Sequence, residues 1–365
     1  MKNICFQNTT GFWGGGEKLH LEYAIQFRDR GYRVFLICKK EGQLHQEAVK
    51  HGLLFFNLST GNLSFLNPFK IFRLFRFLKK ERIDTLIFSS SPDLKTGGIA
   101  AKLARVEKIL YLRGLAVPVK DTWLNRFLYT NVLTHIVVNS EETKKTILKN
   151  LSGTISAGFV KVIYHGIDLK VYDQSPKASL YQKADGIILG NAGRLTEQKG
   201  QIHLVEVARK LKQDGISFKM YIAGTGELNE KLIERIRKFD LQNEVILSGF
   251  IRDMNSFMHS IDIFLLSSVW EGFGYVIVEA MAAKKPVVAF DISSNHEIIE
   301  NNETGFLVSY PDVEQFTHKT AELIRDDSLR KTMGEKGRKR VEALFQLGDR
   351  ISEFEQYLLT REKEI

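Results

Sequence analysis

The chain has 365 residues, of which 44% are hydrophobic and 26% are charged, and it carries a net charge of +9 and two cysteines. This apolar fraction excludes a mainly disordered chain, and two cysteines exclude a disulfide-rich secreted scaffold. No run of about 18 uncharged apolar residues occurs, which argues against a membrane-spanning helix. The first ten residues lack the apolar stretch of a signal peptide, so we expect a cytoplasmic chain. The positive charge leaves nucleic acid, an anionic membrane surface and phosphorylated substrates open as partners.

Short apolar runs alternate with longer amphipathic segments along the first half of the chain. The runs at 33–38, 85–88, 108–112, 134–138 and 160–163 are typical of buried strands. The segments 18–30 and 141–150 have the pattern of helices, the second with Ser140 as its N-cap. This alternation predicts a parallel α/β sheet with helices on both faces.

The alternation pauses in the polar stretch 169–186 and then resumes with further apolar runs at 187–190, 219–223, 245–247, 261–266, 286–290 and 305–308. We therefore predict two doubly wound domains, residues 1–175 and 176–345, followed by a helix within 346–365 that packs back on the first domain. In open α/β sheets ligands bind beyond the carboxyl ends of the strands. We expect the two domains to face each other across a cleft.

Two short motifs, one with charged residues and one with glycines, directly follow predicted strands in the second half. Gly193, Arg194 and Lys199 come after the run at 187–190, where a glycine permits close approach and two cations suit a diphosphate. A solvated loop with two surface cations is the alternative. Gly224 and Gly226 follow the run at 219–223 as half of a dinucleotide fingerprint, for which a tight strand-to-helix turn is the simpler interpretation.

The segment 267–281 carries the strongest pattern. Gly272 and Gly274 form a loop after an apolar strand, and a helix is predicted to begin near Tyr275, where free N–H groups favour an anion. Glu279 lies about one turn into that helix, in an apolar stretch where an unpaired carboxylate is costly. A carboxylate there suits ribose hydroxyls, and Glu271 on the loop suits the hydroxyls of a sugar.

These motifs resemble those of the family-4 retaining glycosyltransferases (glycosyl transferases group 1), which have the GT-B fold. Glu271 and Glu279 match the family's Glu-x7-Glu signature. The resemblance extends over almost the whole second half of the chain, through residues 193–200, 223–226, 286–289 and 302–308. In the first half it is looser and includes 14–17, 139–140 and 165–168. It implies two facing Rossmann-like domains, the first for the acceptor and the second for a nucleotide-sugar donor.

The resemblance also implies roles for single residues. Arg194 and Lys199 would bind the donor diphosphate and stabilise the leaving group, and Glu271 would orient the transferred sugar. Arg113 stands where many members place a histidine, either as a cation near the sugar or phosphate or as an acceptor or structural residue. The remaining donor contacts are expected at Gly15, Gly16, Gly193, Gly224, Gly249, Phe250, Ile251, Gly272, Phe273, Gly274, Tyr275, Val276 and Glu279.

The family's retaining mechanism uses front-face attack and needs neither a carboxylate nucleophile nor a metal. The sequence contains no Asp-x-Asp and no HExxH pair, the usual ligands of the metal-dependent alternative. We therefore expect no cofactor and no metal. The sequence leaves open whether the donor carries uridine, guanosine or adenosine, and what the acceptor is.

Residues 65–82 combine basic and aromatic side chains. At 100° per residue, Ile71, Leu74, Phe75 and Leu78 share a face that should pack on the sheet. The opposite side carries Lys70, Arg73, Arg76 and Lys80 together with Phe69 and Phe77. This pattern predicts either a helix that rests on anionic lipid at the cytoplasmic face of a membrane or an ordinary solvated helix.

Three functional hypotheses follow. The first is a glycosyltransferase acting on a glycan or lipid-linked acceptor in polysaccharide or lipopolysaccharide biosynthesis. The second is a soluble sugar-nucleotide enzyme of the same fold, such as a glucan or small-glycoside synthase or an epimerase. The third, a nucleic-acid-binding protein, rests on charge alone, since recognisable nucleic-acid-binding motifs are missing.

Overall fold

The structure is a computed structural model that describes residues 2–11, 14–151, 153–174, 178–181 and 186–359. The chain divides into two compact units. The first contains the residues up to Tyr164 and those from Ile351 onward, and the second is His165–Arg350. The boundary lies before the polar stretch in which the sequence placed it. The reason is that the segment after His165 packs in the second unit, where Tyr172 donates a hydrogen bond to the backbone oxygen of Glu279 (3.0 Å).

A seven-stranded parallel sheet forms the centre of the first unit, in the order β3-β2-β1-β4-β5-β6-β7. Its strands are β1 (Asn3–Gln7), β2 (Arg33–Cys38), β3 (Leu54–Asn57), β4 (Thr85–Phe88), β5 (Lys108–Arg113), β6 (His135–Val138) and β7 (Val160–Val162). The strand order reverses between β1 and β4, which both lie inside the sheet. This reversal is a topological switch point, where such sheets bind ligands.

Helices connect these strands: α1 (Gly15–Asp29), α2 (Gln43–Lys50), α3 (Pro68–Lys80), α4 (Ser91–Ala104), α5 (Trp123–Phe127) and α6 (Glu141–Leu151). Two of them begin with a side-chain cap. The Asn67 side chain accepts a hydrogen bond from the backbone N–H of Lys70 before α3, and Pro68 follows as the first helical residue. Ser90 caps α4 in the same way by accepting from Asp93.

The second unit contains a six-stranded parallel sheet in the order β10-β9-β8-β11-β12-β13. The strands are β8 (Ile187–Ala192), β9 (Phe218–Ala223), β10 (Val245–Gly249), β11 (Ile263–Leu266), β12 (Val287–Phe290) and β13 (Gly305–Val308). Here the order reverses between β8 and β11. Both units therefore have Rossmann-like topology, as the sequence predicts.

The helices of the second unit are α7 (Leu169–Gln174), α8 (Gln201–Gln213), α9 (Asn229–Lys238), α10 (Met254–Ser260), α11 (Tyr275–Ala282), α12 (Asn295–Ile298), α13 (Val313–Arg325) and α14 (Asp327–Leu344). The final helix, α15 (Leu347–Leu359), begins in the second unit, and its residues from Ile351 belong to the first. In the first unit, Glu355 of α15 accepts hydrogen bonds from Arg30 (2.6 Å) and Tyr32 (2.6 Å).

Each unit has its own apolar core, built from strands that are covered on both faces. All four residues of β4, β6, β11 and β12 are buried. Burying one large aliphatic or aromatic side chain contributes about 1.5–3 kcal/mol, so these continuous apolar strands account for much of the driving force of folding. No helix in the described part of the chain is long and apolar enough to span a bilayer.

Candidate active site

The predicted donor-site residues of the second unit follow β8 and β11, the two strands at its switch point. Gly193, Arg194 and Lys199 follow β8, and the segment from Ser267 to Gly274 follows β11. The loops are joined by a backbone hydrogen bond, in which the Val269 N–H donates to the Gln198 oxygen (2.8 Å). The side chain of Gln198 donates to the Trp270 oxygen (3.1 Å). The structure therefore brings the two charged motifs together.

Lys199 and Glu271 form an ion pair. The Lys199 Nζ atom lies 2.6 Å from Oε1 of Glu271, and both side chains are largely buried. The hydroxyl of Ser268 donates to the same Oε1 atom (2.6 Å), and the backbone N–H of Glu271 donates to Oγ of Ser293 (3.3 Å). The sequence predicts both charged residues but not their pairing, nor the two serines that hold Glu271.

Arg194 is exposed beside this pair. In the part of the chain that the structure describes, its guanidinium makes no hydrogen bond or ion pair, whereas its backbone oxygen accepts from the Gln201 side chain (3.0 Å). A planar guanidinium group whose N–H donors are free is suited to bind a phosphate. The Lys199 ammonium has three donors, of which Glu271 uses one. Both side chains therefore keep donors for a further acceptor.

Gly224 has a packing role next to this loop. Its backbone N–H donates to the Gly249 oxygen (2.7 Å), and the N–H of Gly193 donates to the Ala223 oxygen (2.9 Å). Gly224 has φ +145°, and a methyl group there would collide with the Gly193 carbonyl oxygen. A side chain at this position would force the loops after β8 and β9 apart.

Helix α11 begins after Gly274, which has φ +81° and provides no side-chain cap. In its first turn, the N–H group of Ile277 donates to the Gly274 oxygen (2.8 Å). Glu279 lies one turn further on and is 9% exposed. Burial raises the pKa of the Tyr172 hydroxyl well above its usual range, and the carboxylate of Glu279 adds to that rise. The two side chains are thus neighbours.

The side chain of Phe273 belongs to the core. Its ring is buried against the rings of His165 (centroids 5.3 Å apart) and Phe345 (5.8 Å). Burial lowers the pKa of His165 to about 4, so this imidazole is neutral at pH 7. In the sequence, His165 stands out only as part of the 165–168 motif that resembles the family. The structure shows that its ring supports the loop before α11.

Three of the expected donor contacts, Gly249, Phe250 and Ile251, lie at the end of β10 and in the turn that follows it. Gly249 has φ +67°, and the Phe250 side chain that follows is 71% exposed. Ile251 is half-buried and Arg252 is exposed. On the preceding strand, Ser248 Oγ lies 3.2 Å from the hydroxyl of Tyr181, whose ring stacks on Tyr221 at 3.6 Å. Nothing in the sequence pattern indicates this tyrosine pair.

Arg113 ends β5 in the first unit and is buried. Its guanidinium donates to the backbone oxygen of Val117 and to the hydroxyl of Tyr111 (3.5 Å). Nε is buried and has no partner among the described residues. Of the alternatives that the sequence leaves open, these contacts favour a structural role, since Arg113 ties its strand to the loop that follows.

Gly15 and Gly16 form the first turn of α1, on the carboxyl side of β1.

Among the described residues, no group of three or more His, Cys, Asp or Glu side chains is arranged to hold a metal ion.

Known proteins resemble the chain in both halves. The sequence profile described as "Glycosyltransferase Family 4" matches residues 13–171, and "Glycosyl transferases group 1" matches 175–340. An Escherichia coli protein named UDP-Gal:alpha-D-GlcNAc-diphosphoundecaprenol alpha-1,3-galactosyltransferase is 25% identical over 92% of this chain and 91% of its own length. The Staphylococcus aureus capsular polysaccharide biosynthesis glycosyltransferase CapM is 33% identical, over 44% of this chain and 43% of its own.

Among solved structures, Anabaena HepE in complex with UDP and glucose superposes with a TM-score of 0.84 at 22% identity, covering 98% of this chain and 99% of its own. This likeness concerns the fold and agrees with the two Rossmann-like units. The two profiles together account for nearly the whole chain, which belongs to the group 1 glycosyltransferases with the GT-B fold.

Proposed function

We propose that this glycosyltransferase moves a hexosyl-type sugar, with retention of configuration, from a nucleotide-diphosphate sugar to a glycan or lipid-linked acceptor. The observation that carries the proposal is the arrangement at the second unit's switch point. There, Arg194, which has no side-chain partner among the described residues, and the Lys199–Glu271 pair lie on loops joined to each other. Helix α11 with Glu279 continues from the second loop. This set matches the parts of a sugar diphosphate, with cations for phosphate and carboxylates for hydroxyl groups.

Each residue has a role in that mechanism. Arg194 and Lys199 stabilise the negative charge that develops on the departing diphosphate. Glu271 is held by Lys199 and Ser268, so its carboxylate is fixed where it can accept hydrogen bonds from the transferred sugar. Glu279 holds the ribose. The acceptor hydroxyl attacks from the face of the leaving group and passes its proton to the phosphate.

The names of the relatives support the substrate class. The Escherichia coli relative is named for a UDP-galactose donor and a lipid-diphosphate-linked acceptor, and CapM for capsular polysaccharide. HepE was solved with UDP and glucose. We therefore propose a role in cell-surface polysaccharide or lipopolysaccharide biosynthesis, with a UDP-hexose as the first donor to test.

We propose that the transfer needs no metal, because Arg194 and Lys199 supply the positive charge that a divalent ion provides in other enzymes. Transfer assayed in excess EDTA should proceed at the untreated rate. Loss of activity that is restored by Mg²⁺ or Mn²⁺ would refute this part of the proposal.

The segment 65–82 is proposed to rest on an anionic membrane at its cytoplasmic face. Phe69 is 81% exposed and Phe72 57%, next to the exposed cations Arg73, Arg76 and Lys80. One expectation is wrong: Phe77 does not point outward. It is buried and stacks on Phe56 of β3 at 4.3 Å, because the edge strand reaches under that side of the helix.

The function can be tested with purified protein and UDP-, GDP- and ADP-hexoses, with and without an N-acetylhexosaminyl-diphospholipid acceptor. Transfer to the lipid-linked sugar is expected with one donor class. That same nucleoside diphosphate should raise the melting temperature of the protein. Epimerised donor, or transfer only to glucan or small alcohols, would support the alternative sugar-nucleotide enzyme.

A further inference from the structure

The first unit holds a buried carboxylate at its own switch point. Glu17 lies in the first turn of α1 and is only 6% exposed. Its Oε1 atom accepts hydrogen bonds from Asn8 Nδ2 (3.1 Å) and from the hydroxyl of Thr10 (2.5 Å). Asn8 also donates to Ser89 Oγ (3.2 Å), directly after β4. The carboxylate is therefore fixed between the ends of β1 and β4.

The second oxygen of this carboxylate is unused. In the described part of the chain, Oε2 of Glu17 accepts no hydrogen bond, and Glu17 forms no ion pair. This oxygen is not fully buried, so it reaches solvent. A carboxylate that is mostly buried, anchored through one oxygen and open at the other is arranged to accept a hydrogen bond from a ligand.

The glycines before Glu17 leave room for that ligand. A Cβ atom at Gly15 or Gly16 would meet no described atom within 4 Å, so packing does not require glycine there. Glycine inside a helix costs roughly 0.5–1 kcal/mol relative to alanine, which makes two adjacent glycines unfavourable for α1 itself. Open space beside bare backbone is what the close approach of a bound molecule needs.

We infer that Glu17 binds a hydroxyl group of the acceptor through Oε2, which makes it a specificity-determining residue for a neutral sugar terminus. A hydroxyl donates to a carboxylate, whereas a phosphate or carboxylate terminus would be repelled by the Glu17 carboxylate, which forms no ion pair with any described residue. The inference rests on the proposed function, because it names the acceptor class of that transfer. It assigns Glu17 no covalent step.

Glu17→Gln tests this with little change of shape. The new amide oxygen can still accept from Asn8 and Thr10, and its NH₂ group then replaces the oxygen that faces the ligand. The acceptor is the octyl hexoside that gives the fastest transfer from a panel of glucosides, galactosides and N-acetylhexosaminides. We expect the acceptor KM to rise about 10- to 100-fold, as for a lost charged hydrogen bond. Hydrolysis of the donor by water should stay within about twofold of wild type.

A second variant leaves Glu17 in place. A Cβ atom at position 14 would lie 3.2 Å from Oε2, and Gly14 has an extended backbone that alanine adopts freely. Gly14→Ala should therefore crowd Oε2 and also raise the acceptor KM. The matched control is Glu47→Gln, which changes a mostly buried carboxylate on α2 and should not alter that KM.

The outcomes separate the two proposals. If no donor supports transfer to any hexoside, the proposed function fails and the inference fails with it. If transfer occurs and neither Glu17→Gln nor Gly14→Ala changes the acceptor KM, the inference alone is wrong. Equal loss of transfer and donor hydrolysis in both variants would also refute it, because the residue would then act on the donor or on folding. Faster transfer by wild type to a phosphate-terminated polyol than to any hexoside would refute the acceptor class.

Discussion

The ammonium of Lys199 and the carboxylate of Glu271 lie 2.6 Å apart in the second unit, although the residues are 72 positions apart in the chain. Each has a separate expected role toward the donor, and the structure shows that they also hold each other. The pair fixes the loop after β8 against the loop after β11. Changing either residue should therefore affect stability as well as chemistry.

Replacing Lys199 alone should lower the free energy of unfolding. Lys199→Met leaves the buried Glu271 charge without its partner, and we expect a loss of roughly 3 kcal/mol in the free energy of unfolding. The double variant Lys199→Met/Glu271→Gln should recover part of that loss. Urea unfolding measures both. The control is Lys231→Met, which breaks an exposed pair with Glu197 and should cost at most about 1 kcal/mol. A loss in the double variant as large as that in Lys199→Met, or larger, would contradict this expectation.

The two glutamates of the signature should differ in kinetics. Glu279→Ala removes a proposed ribose ligand. We expect the donor KM to rise about 10-fold or more, which corresponds to the free energy of one hydrogen bond to a charged group. Glu271→Ala should mainly lower kcat because its proposed partner is the transferred sugar. Steady-state assays separate the two, with the exposed Glu234→Ala on α9 as control. Wild-type kinetics in both variants would contradict the site assignment.

The buried histidine of α1 makes stability depend on pH. Burial lowers the pKa of His20 from 6.5 to about 3, and both ring nitrogens lack partners among the described residues. The unfolded chain therefore binds a proton at a higher pH than the folded one, and this residue makes stability fall as the pH drops from 6.5 toward 3. His20→Leu should reduce that slope by up to about 1.4 kcal/mol per pH unit. An unchanged slope between pH 7 and 4 would contradict this contribution.

Membrane binding should depend on charge on α3. Reversing Arg73, Arg76 and Lys80 to Glu should abolish co-sedimentation with phosphatidylglycerol-containing vesicles, since each basic residue near such a surface contributes about 1 kcal/mol. Wild-type binding should weaken with salt. The fold should be spared because the three buried residues of the helix, Leu74, Phe77 and Leu78, are unchanged.

The matched control for this experiment reverses Lys144, Lys145 and Lys149 on α6, which changes the net charge by the same amount on another helix of the first unit. That variant should still bind. Equal binding by wild type and the α3 variant, or none by wild type, would leave α3 an ordinary solvated helix.

Apolar strands and glycine-rich loops could be predicted from the sequence because both are local patterns. The strand β3 could not, since its four residues lie at the sheet edge and are exposed or half-buried. The error at Phe77 has the same origin: a helical projection gives the direction of a side chain but not the neighbour, here Phe56, that covers it.

The residues of the candidate site could likewise be predicted only where they form a local sequence pattern. Arg194, Lys199, Glu271 and Glu279 could be selected because charged residues after apolar strands stand out in the sequence. The partners that fix them could not, because Ser268, Ser293 and Tyr172 have no pattern of their own and act only through distances in the fold. The open oxygen of Glu17 is likewise visible only once Asn8 and Thr10 are placed.

The central claim is retaining transfer of a sugar from a nucleotide diphosphate, and proton NMR of the reaction tests it most directly. A UDP-α-hexose incubated with the protein and a lipid-linked or alkyl N-acetylhexosaminide should release UDP and yield a new α-linked anomeric signal as the first product. A β-linked first product would contradict the retaining mechanism. Absence of any transferred sugar with UDP-, GDP- and ADP-hexoses would contradict the proposed function itself.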